Sequence, residues 1–471
     1  MNPHPHQRML PQGLVEELTT RFGARFTVAE AVRRHHGKDE SSHPPMLPDA
    51  VIFAESTEEV AAILSCCNVF KTPVIAYGTG TSLEGHILAV DGGICIDLSA
   101  FNKIIAVRAE DMDATVQCGV TRKQLNEWLS GTGLFFPIDP GADASLGGMA
   151  ATRASGTNAV RYGTMRENVL GMTVVLADGR ILKTGGRARK SSAGYDLTHL
   201  MVGSEGTLGI ITELTVRLHP LPEAIASAVC TFSSIAAAVS TVIQTIQMGV
   251  PVARMELLDA LAISALNRHS KTSLREEPTL FFEFHGSPAS VQEQTALVAD
   301  IAKTQGGRDF DWATRPEDRS RLWQARHDAL WAALGLKPGS RALSTDVCVP
   351  ISRLAECIAE TIEDIATINI PSTIPSPIVG HVGDGNFHVV LLLDPNNPDE
   401  ITRAHDFATR LAHRAIRMDG TSTGEHGIGL GKRDYLIPEH GVVAVNIMRA
   451  IKQTLDPNNI LNPGKILPSP Q

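Results

Sequence analysis

The chain has 471 residues, 43% of them apolar and 20% charged, with a formal net charge of -9. At roughly 150 residues per domain this gives about three domains, or two with insertions, and the composition excludes wholesale disorder and collagen-like structure. A dedicated nucleic-acid binder would carry a basic field, and none is present, although a local site can still take an anion.

The opening MNPHPHQRML lacks a continuous apolar run, so it reads neither as a secretory signal nor as a clear transit peptide. Residues 1–45 read as helical and polar, with a basic patch at Arg33–His36. Regular α/β texture starts at Ala50, with a strand over 50–53, a helix over 57–70, a strand over 73–77 and a glycine loop over 78–85. Strands follow at 93–97, 104–108 and 115–118, then a helix over 121–130 with Thr121 as its cap. Residues 139–168 are rich in Gly, Ala, Ser and Thr without an apolar period. Such a stretch wraps something or packs backbone closely. Strands resume at 172–176 and 208–218, and Pro220 and Pro222 mark a boundary.

Beyond the prolines, the run from Ala224 to Ala253 carries no charge but is too polar to span a bilayer. It reads as a strand over 227–232 and a helix capped by Ser234, with Ile235, Val239, Val242 and Ile246 as its apolar stripe. Strands near 252–257, 279–285 and 308–312 suggest a separate α+β domain. A long helix is expected over 316–334, then strands over 343–350 and 388–393 flanking a helix over 351–369. A helix over 401–417 leads to a second glycine-rich loop at 420–431 and a turn-rich close, LDPNNILNPGKIL. The seven cysteines form no CxxC pair, so neither an iron-sulfur cluster nor a zinc ribbon is supported, and free thiols in a reducing compartment are the simplest reading.

Three tracts carry chemistry. In Tyr77-Gly-Thr-Gly-Thr-Ser-Leu-Glu-Gly85, directly after a strand, backbone N–H groups and hydroxyls can converge on a phosphate. Leu83 stands where a Rossmann fingerprint needs glycine, and His86 replaces the lysine of a Walker A loop. A tight structural turn is the alternative. The second tract runs from Asp139 to Gly163. Between Gly141 and Arg166 it has one acid, Asp143, and three arginines, which suits a pyrophosphate and a planar ring; a flexible loop is the alternative. The third is Gly380-His-Val-Gly-Asp-Gly-Asn-Phe-His388, paired with Thr423-Gly-Glu-His-Gly-Ile-Gly429. A Gly-Asp-Gly turn can bend both histidines toward one point, and two imidazoles with the Glu425 carboxylate suit a borderline divalent cation with open positions. Packed histidines are the alternative.

With Val202-Gly-Ser-Glu-Gly-Thr-Leu-Gly-Ile-Ile-Thr212 and Ile460-Leu-Asn-Pro-Gly-Lys-Ile466, the first two tracts resemble the FAD-binding module of the vanillyl-alcohol oxidase (PCMH-type) flavoproteins, over about residues 45–467. The resemblance implies an α+β fold. A PCMH-type FAD-binding domain of two α/β subdomains would cover 1–220, a ferredoxin-like cap with the substrate and metal site 221–425, and a segment 426–471 would return to the first domain. It implies non-covalent FAD. Gly78, Thr79, Gly80, Thr81 and Ser82 would hold the pyrophosphate. Pro140, Gly141, Ala142, Gly147, Gly148, Thr152, Ser155 and Gly156 would line the flavin. Glu205 and Ile210 would sit by the adenosine half, and Asn462 would close the site.

The third tract resembles the branch of D-lactate dehydrogenase (cytochrome), the glycolate oxidase FAD subunit and D-2-hydroxyglutarate dehydrogenase. This implies His381, His388 and Glu425 as ligands of Zn, Mn or Fe, and His426 as the base. Arg326, in Leu322-Trp-Gln-Ala-Arg-His327, matches the arginine that grips the substrate carboxylate; a solvated helix arginine is the alternative. The implied reaction is oxidation of D-lactate or a related monocarboxylic D-2-hydroxy acid, with hydride transfer to flavin N5 and reoxidation by a quinone, a cytochrome or an electron-transfer flavoprotein. Thr345 and Val390 replace the lysine and polar residue of hydroxyglutarate-type members, which removes partners for a second carboxylate. With neither a signal-like nor a membrane-spanning run, the expectation is a cytoplasmic protein, or one peripheral to the inner membrane, without a transmembrane segment, and a homodimer. Rival readings are the FAD subunit of a glycolate dehydrogenase, a D-2-hydroxyglutarate dehydrogenase, a redox-inactive binding subunit, and a non-redox metal-dependent hydrolase or lyase.

Overall fold

A computed structural model describes residues 9–469; the opening residues 1–8, read above as lacking a signal, lie outside the described residues. The chain divides into two units. The first comprises the chain up to Ser155, Gly163–Leu221 and everything from Glu425 on, and the second comprises Gly156–Tyr162 and Pro222–Gly424.

The first unit holds two larger sheets over a shared core and a two-stranded pair, Leu134–Phe135 with His219–Pro220. In the smaller of the two larger sheets, Ala50–Phe53 and Val74–Tyr77 flank Ile94–Asp97, all parallel, and Phe26–Thr27 adds an antiparallel edge. Parallel strands are covered on both faces and read as unbroken apolar runs, and here nearly every position is buried. The crossover helix Thr57–Val69 starts at Ser56, whose hydroxyl accepts from the Glu59 N–H. The closing segment returns to this sheet: Val74 N–H donates to the Ile460 carbonyl at 2.7 Å, and Asn462 N–H to the Val74 carbonyl at 2.8 Å. The second sheet is antiparallel, in the order Ile104–Arg108, Asp113–Gln117, Ile210–Arg217, Val169–Val175 and Ile181–Gly185. Ile52, Leu64, Ile96, Val116, Val174 and Leu214 belong to the shared core.

The second unit is built on one large antiparallel sheet. Its first four strands are Ala224–Thr231, Val252–Leu258, Thr279–Gly286 and Arg308–Ala313. They lie in the spatial order fourth, first, third, second, with the helices Ile235–Gln247 and Pro288–Thr304 as the split crossovers. That is the ferredoxin-like arrangement. Ile378–Gly380, Asn386–Leu393 and Arg341–Ser344 extend the sheet beyond the Val252–Leu258 strand. Ser234 caps the first crossover helix by accepting from the Ala237 N–H. Among the described residues, no helix is long and apolar enough to cross a membrane, and no cysteine is in a disulfide.

Several elements differ from the sequence reading. The 139–168 tract contains the short helices Leu146–Thr152, Ala159–Tyr162 and Met165–Asn168. Capping starts the first and last of these, through Ser145 on the Gly148 N–H and a Thr164–Glu167 capping box, so no apolar period announces them. Gly156–Tyr162 belongs to the second unit rather than the first. Arg254 Nε donates to Asn158 Oδ1 at 2.9 Å, Arg161 donates to the Pro251 and His285 carbonyls, and the Tyr162 hydroxyl meets His285 Nδ1 at 2.8 Å. The helix expected over 316–334 is two, Pro316–His327 and Ala329–Leu334, broken at Asp328, and the strand expected over 343–350 is two short ones. The helix Leu436–Leu455 has no counterpart in the sequence reading; Pro438 near its start and Gly441, at φ +80°, interrupt the pattern there.

Candidate functional site

In the first unit, the glycine loop after Val74–Tyr77 packs against the start of the Leu146–Thr152 helix. A Cβ on Gly78 would come within 2.5 Å of Ser145 Oγ, and one on Gly147 within 2.5 Å of Cys118 Cβ, so both positions require glycine. Within that helix Leu146, Gly147, Met149 and Ala150 are buried while Gly148 is exposed, which presents bare main chain to the open side. Gly141 is also exposed, with nothing near its would-be Cβ. Pro140, Ala142, Thr152 and Ser155 are half-buried in the same tract, and Gly156 falls in the second unit. Thr79 and Thr81 join hydroxyls at 3.2 Å, while the Ser82 hydroxyl donates to Asp39. A flat ligand with a phosphate tail fits such a wall. A further sign is His86, which is 5% exposed and whose Nδ1 has no hydrogen-bond partner among the described residues.

The histidine loop of the same unit is held from behind. Glu205, at φ +53°, accepts from the Ile428 N–H through Oε1 at 2.7 Å and from the Gly429 N–H through Oε2 at 2.8 Å. The carboxylate therefore organises the loop that carries Glu425 and His426, while Ile210 is buried core. His86 Nε2 lies 3.4 Å from Glu205 Oε1; burial lowers the His86 pKa, but that carboxylate more than offsets it and the pKa is raised. Glu84 Oε1 lies 3.9 Å from His426 Nδ1 and 3.2 Å from Lys432 Nζ. Asn462 donates to the carbonyls of His86 and Glu205 at 2.9 and 2.7 Å, tying the closing segment to the same place.

In the second unit, register decides the geometry. Leu257 pairs with Gly380 and Leu258 with Val379, so His381 emerges opposite Glu256. The tight turn that follows brings His388 back, and the two imidazole centroids lie 5.4 Å apart at an interplanar angle of 82°. Each ring is fixed through Nδ1. His381 Nδ1 meets Glu256 Oε1 at 2.7 Å, and His388 Nδ1 meets the Thr345 carbonyl at 2.9 Å. A carbonyl only accepts, so His388 Nδ1 carries the proton, and the carboxylate favours the same tautomer in His381. In the neutral rings Nε2 then bears the lone pair, which is the usual preparation of a metal-binding histidine. The donor set suits a divalent cation. Glu425 and His426 lie in the first unit, so the ligand set expected from the sequence is divided between the units.

The same Glu256, fully buried, accepts from Arg326 Nη2 through Oε2 at 2.5 Å. Burial alone would raise the Glu256 pKa, but His381 and Arg326 hold it below the ordinary carboxylate value. Arg326 is 8% exposed and its Nε has no partner among the described residues. It is therefore no solvated helix arginine. A buried guanidinium with one donor unmatched is suited to a ligand carboxylate.

Residues 48–185 match the family "FAD binding domain", and residues 221–466 match "FAD linked oxidases, C-terminal domain". The chain belongs to the FAD-linked oxidases. This oxidase binds FAD. It is 56% identical over 444 residues to the probable mitochondrial D-lactate dehydrogenase of Danio rerio, covering 94% of this chain and 88% of the relative. It is 46% identical to the mitochondrial D-lactate dehydrogenase [cytochrome] of Arabidopsis thaliana, covering 98% and 81%, and 34% identical to the glycolate oxidase subunit GlcD of Bacillus subtilis, covering 97% of each. Among solved structures it resembles p-cresol methylhydroxylase with substrate bound, with a TM-score of 0.78 at 19% identity over 97% of this chain and 98% of that one, which shows the PCMH-type fold.

Three residues of the oxidase escaped the sequence reading. Glu256 lies outside every glycine-rich tract and is revealed by strand register, while Glu84 sits within the phosphate-type loop and meets His426 and Lys432 only when the chain returns. The third is Asp346, buried, with Oδ1 3.8 Å from His388 Nδ1 and accepting from Asn386 Nδ2 at 2.7 Å. A signal was available for it, since Asp346 is the one charged residue in the Leu343–Pro350 run. The Thr345 hydroxyl bonds the main chain of Val389, accepting from its N–H at 2.9 Å, and Val390 packs with Ala333 and Leu392.

Proposed function

We propose that this oxidase converts D-lactate, or a closely related monocarboxylic D-2-hydroxy acid, to the 2-oxo acid. The observation that carries the reading is Arg326, buried with Nε unmatched and joined through Glu256 to the His381–His388 pair. One wall of the second unit thus offers a carboxylate anchor and a metal-type donor pair. Arg326 binds the substrate carboxylate. His381, His388 and Glu425 hold the metal, Zn, Mn or Fe, and His426 removes the hydroxyl proton. When bound, FAD supplies a two-electron acceptor and the metal a Lewis acid for the hydroxyl oxygen. The glycine wall of Gly78–Ser82, Gly141, Gly147 and Gly148 holds FAD without a covalent link, with Pro140, Ala142, Thr152, Ser155 and Gly156 beside it.

Substrate preference follows from what surrounds this wall. Val390 sits in an apolar cluster and Thr345 is engaged by main chain, so neither offers a partner to a second carboxylate. The names of the relatives support D-lactate as substrate and a cytochrome as electron acceptor, ahead of a quinone or an electron-transfer flavoprotein. The oxidase works as a homodimer in an aqueous compartment, cytoplasmic or peripheral to the inner membrane. The Bacillus relative favours a second reading, a glycolate-oxidising FAD subunit.

Anaerobic flavin bleaching by D-lactate, L-lactate, glycolate and D-2-hydroxyglutarate tests both. D-lactate should reduce the flavin fastest. A charge-assisted contact missing for the second carboxylate is worth roughly 1.5–3 kcal/mol, or about 10- to 150-fold in kcat/KM against hydroxyglutarate. Preference for hydroxyglutarate would overturn the pocket argument, and preference for glycolate would select the second reading.

A further inference from the structure

The Val252–Leu258 strand places Arg254 and Glu256 on one face, and the Pro316–His327 helix lies over both. Trp323 stacks on the Arg254 guanidinium, 4.7 Å from its carbon to the ring centroid, and donates its indole N–H to Ser227 Oγ at 3.0 Å. Three residues further along, Arg326 reaches Glu256. One turn of helix is thus pinned twice to one strand. The buried Glu256 carboxylate has its two oxygens divided between two different sites, Oε1 on His381 and Oε2 on Arg326.

We infer that Glu256 is a positioning residue that couples the metal site to the substrate-carboxylate site, setting the His381 tautomer with one oxygen and aiming the Arg326 guanidinium with the other. The inference rests on the proposed roles of His381 and Arg326. A carboxylate alone among side chains of this length accepts on both ends. With Oε1 occupied by an Nδ1–H donor, His381 keeps Nε2 for a metal. With Oε2 holding Nη2, the guanidinium is fixed while its Nε keeps an unmatched donor. Both contacts hang on one buried group, so a change at that group reaches whichever site loses its acceptor.

Glu256→Gln separates this from a merely structural ion pair. An amide accepts at one end and donates at the other. If its oxygen faces Arg326, its NH2 faces His381 Nδ1, which must then become the acceptor and move its proton to Nε2. If its oxygen faces His381, its NH2 opposes the Arg326 donors. Either orientation damages one site. The holoenzyme and the variant, matched for flavin content and for far-UV circular dichroism, are titrated with Zn2+ alone against a chromogenic chelator, and KM and kcat are measured separately with D-lactate. We expect Zn2+ affinity to fall about 10- to 100-fold, as when orienting partners of metal ligands are removed, or KM to rise about tenfold or more with a smaller change in kcat. Unchanged affinity and unchanged KM, even with lowered thermal stability, would overturn the role. If Glu256→Gln does not fold, Glu256→Asp is read in the same way, since the shorter carboxylate keeps its charge but cannot span both partners. Wild-type protein that takes up no Zn2+ would instead remove the proposed metal site, and the coupling with it.

Discussion

Glu205 has main-chain partners that its own sequence tract does not announce. Its tract marks it as part of the FAD module, yet its carboxylate serves two main-chain donors of the histidine loop, at 2.7 and 2.8 Å. Glu205→Gln keeps the size but leaves one N–H opposed by a donor. We expect a loss of roughly 1–3 kcal/mol in urea unfolding and faster hydrogen exchange at Ile428 and Gly429. Asp259 tests electrostatics at the same scale. It caps the Ala260–Ser270 helix through the Ala262 N–H, and burial raises its pKa to about 6. The folded state therefore binds the proton more tightly than the unfolded chain, so stability falls as pH rises from about 4 to about 6 and stays lower above that. Asparagine caps as well as aspartate and carries no charge. Asp259→Asn should therefore stabilise the protein at pH 7 by on the order of 1–2 kcal/mol, with the gain vanishing below about pH 4. A gain that grows on acidification would contradict the assignment. His381 and His388 were noticeable from residue type and the turn between them, and Arg326 from the family resemblance. Glu256 was not, because a lone acid in an apolar strand acquires meaning only when a residue 125 positions away is paired opposite it.

At the scale of elements, the serine-capped helices Thr57–Val69 and Ile235–Gln247 were readable, whereas Ala260–Ser270 and Pro288–Thr304 went unread although Asp259 and Ser287 cap them in the same way. The elements that carry the site were harder. The Pro316–His327 helix has no side-chain cap at its start, and what fixes it is tertiary: Trp323 on Arg254 and Arg326 on Glu256. Its break at Asp328, where the Gln324 amide donates to the aspartate at 2.8 Å, turns the following Ala329–Leu334 helix onto the Val390 cluster. Trp323 is 6% exposed. Trp323→Ala should cost about 3–5 kcal/mol in denaturant unfolding. It should also raise KM for D-lactate more than it lowers kcat, because Arg326 loses its support one turn away. Equal KM with reduced stability would mean that the helix needs no such anchor to hold the arginine.

At the scale of the molecule, the second unit is inserted between two parts of the first, and the FAD module is completed only when the chain comes back. Pro220 and Pro222 announced the way out; the way back, at Glu425, is marked only by glycines. Removing everything after Asp456 would take away the pairing of Leu461 with Val74 and both Asn462 bonds. We expect such a truncation to retain no FAD after gel filtration, whereas an alanine at Asn462 should retain it with weakened affinity, checked by flavin fluorescence. Undiminished FAD in the truncated protein would show that the returning segment is dispensable.

That return has a consequence on the ribosome. Val74 and Leu461, bridged side by side in the finished sheet, are 461 - 74 = 387 positions apart in the chain. At about 5–20 residues per second, roughly 20–80 s pass between the synthesis of one and the other. Throughout that interval the edge of the parallel sheet waits without its last neighbour, while the whole second unit emerges and can fold first. The nascent oxidase thus carries an unpaired edge at Val74 that only the arrival of Ile460–Asn462 closes.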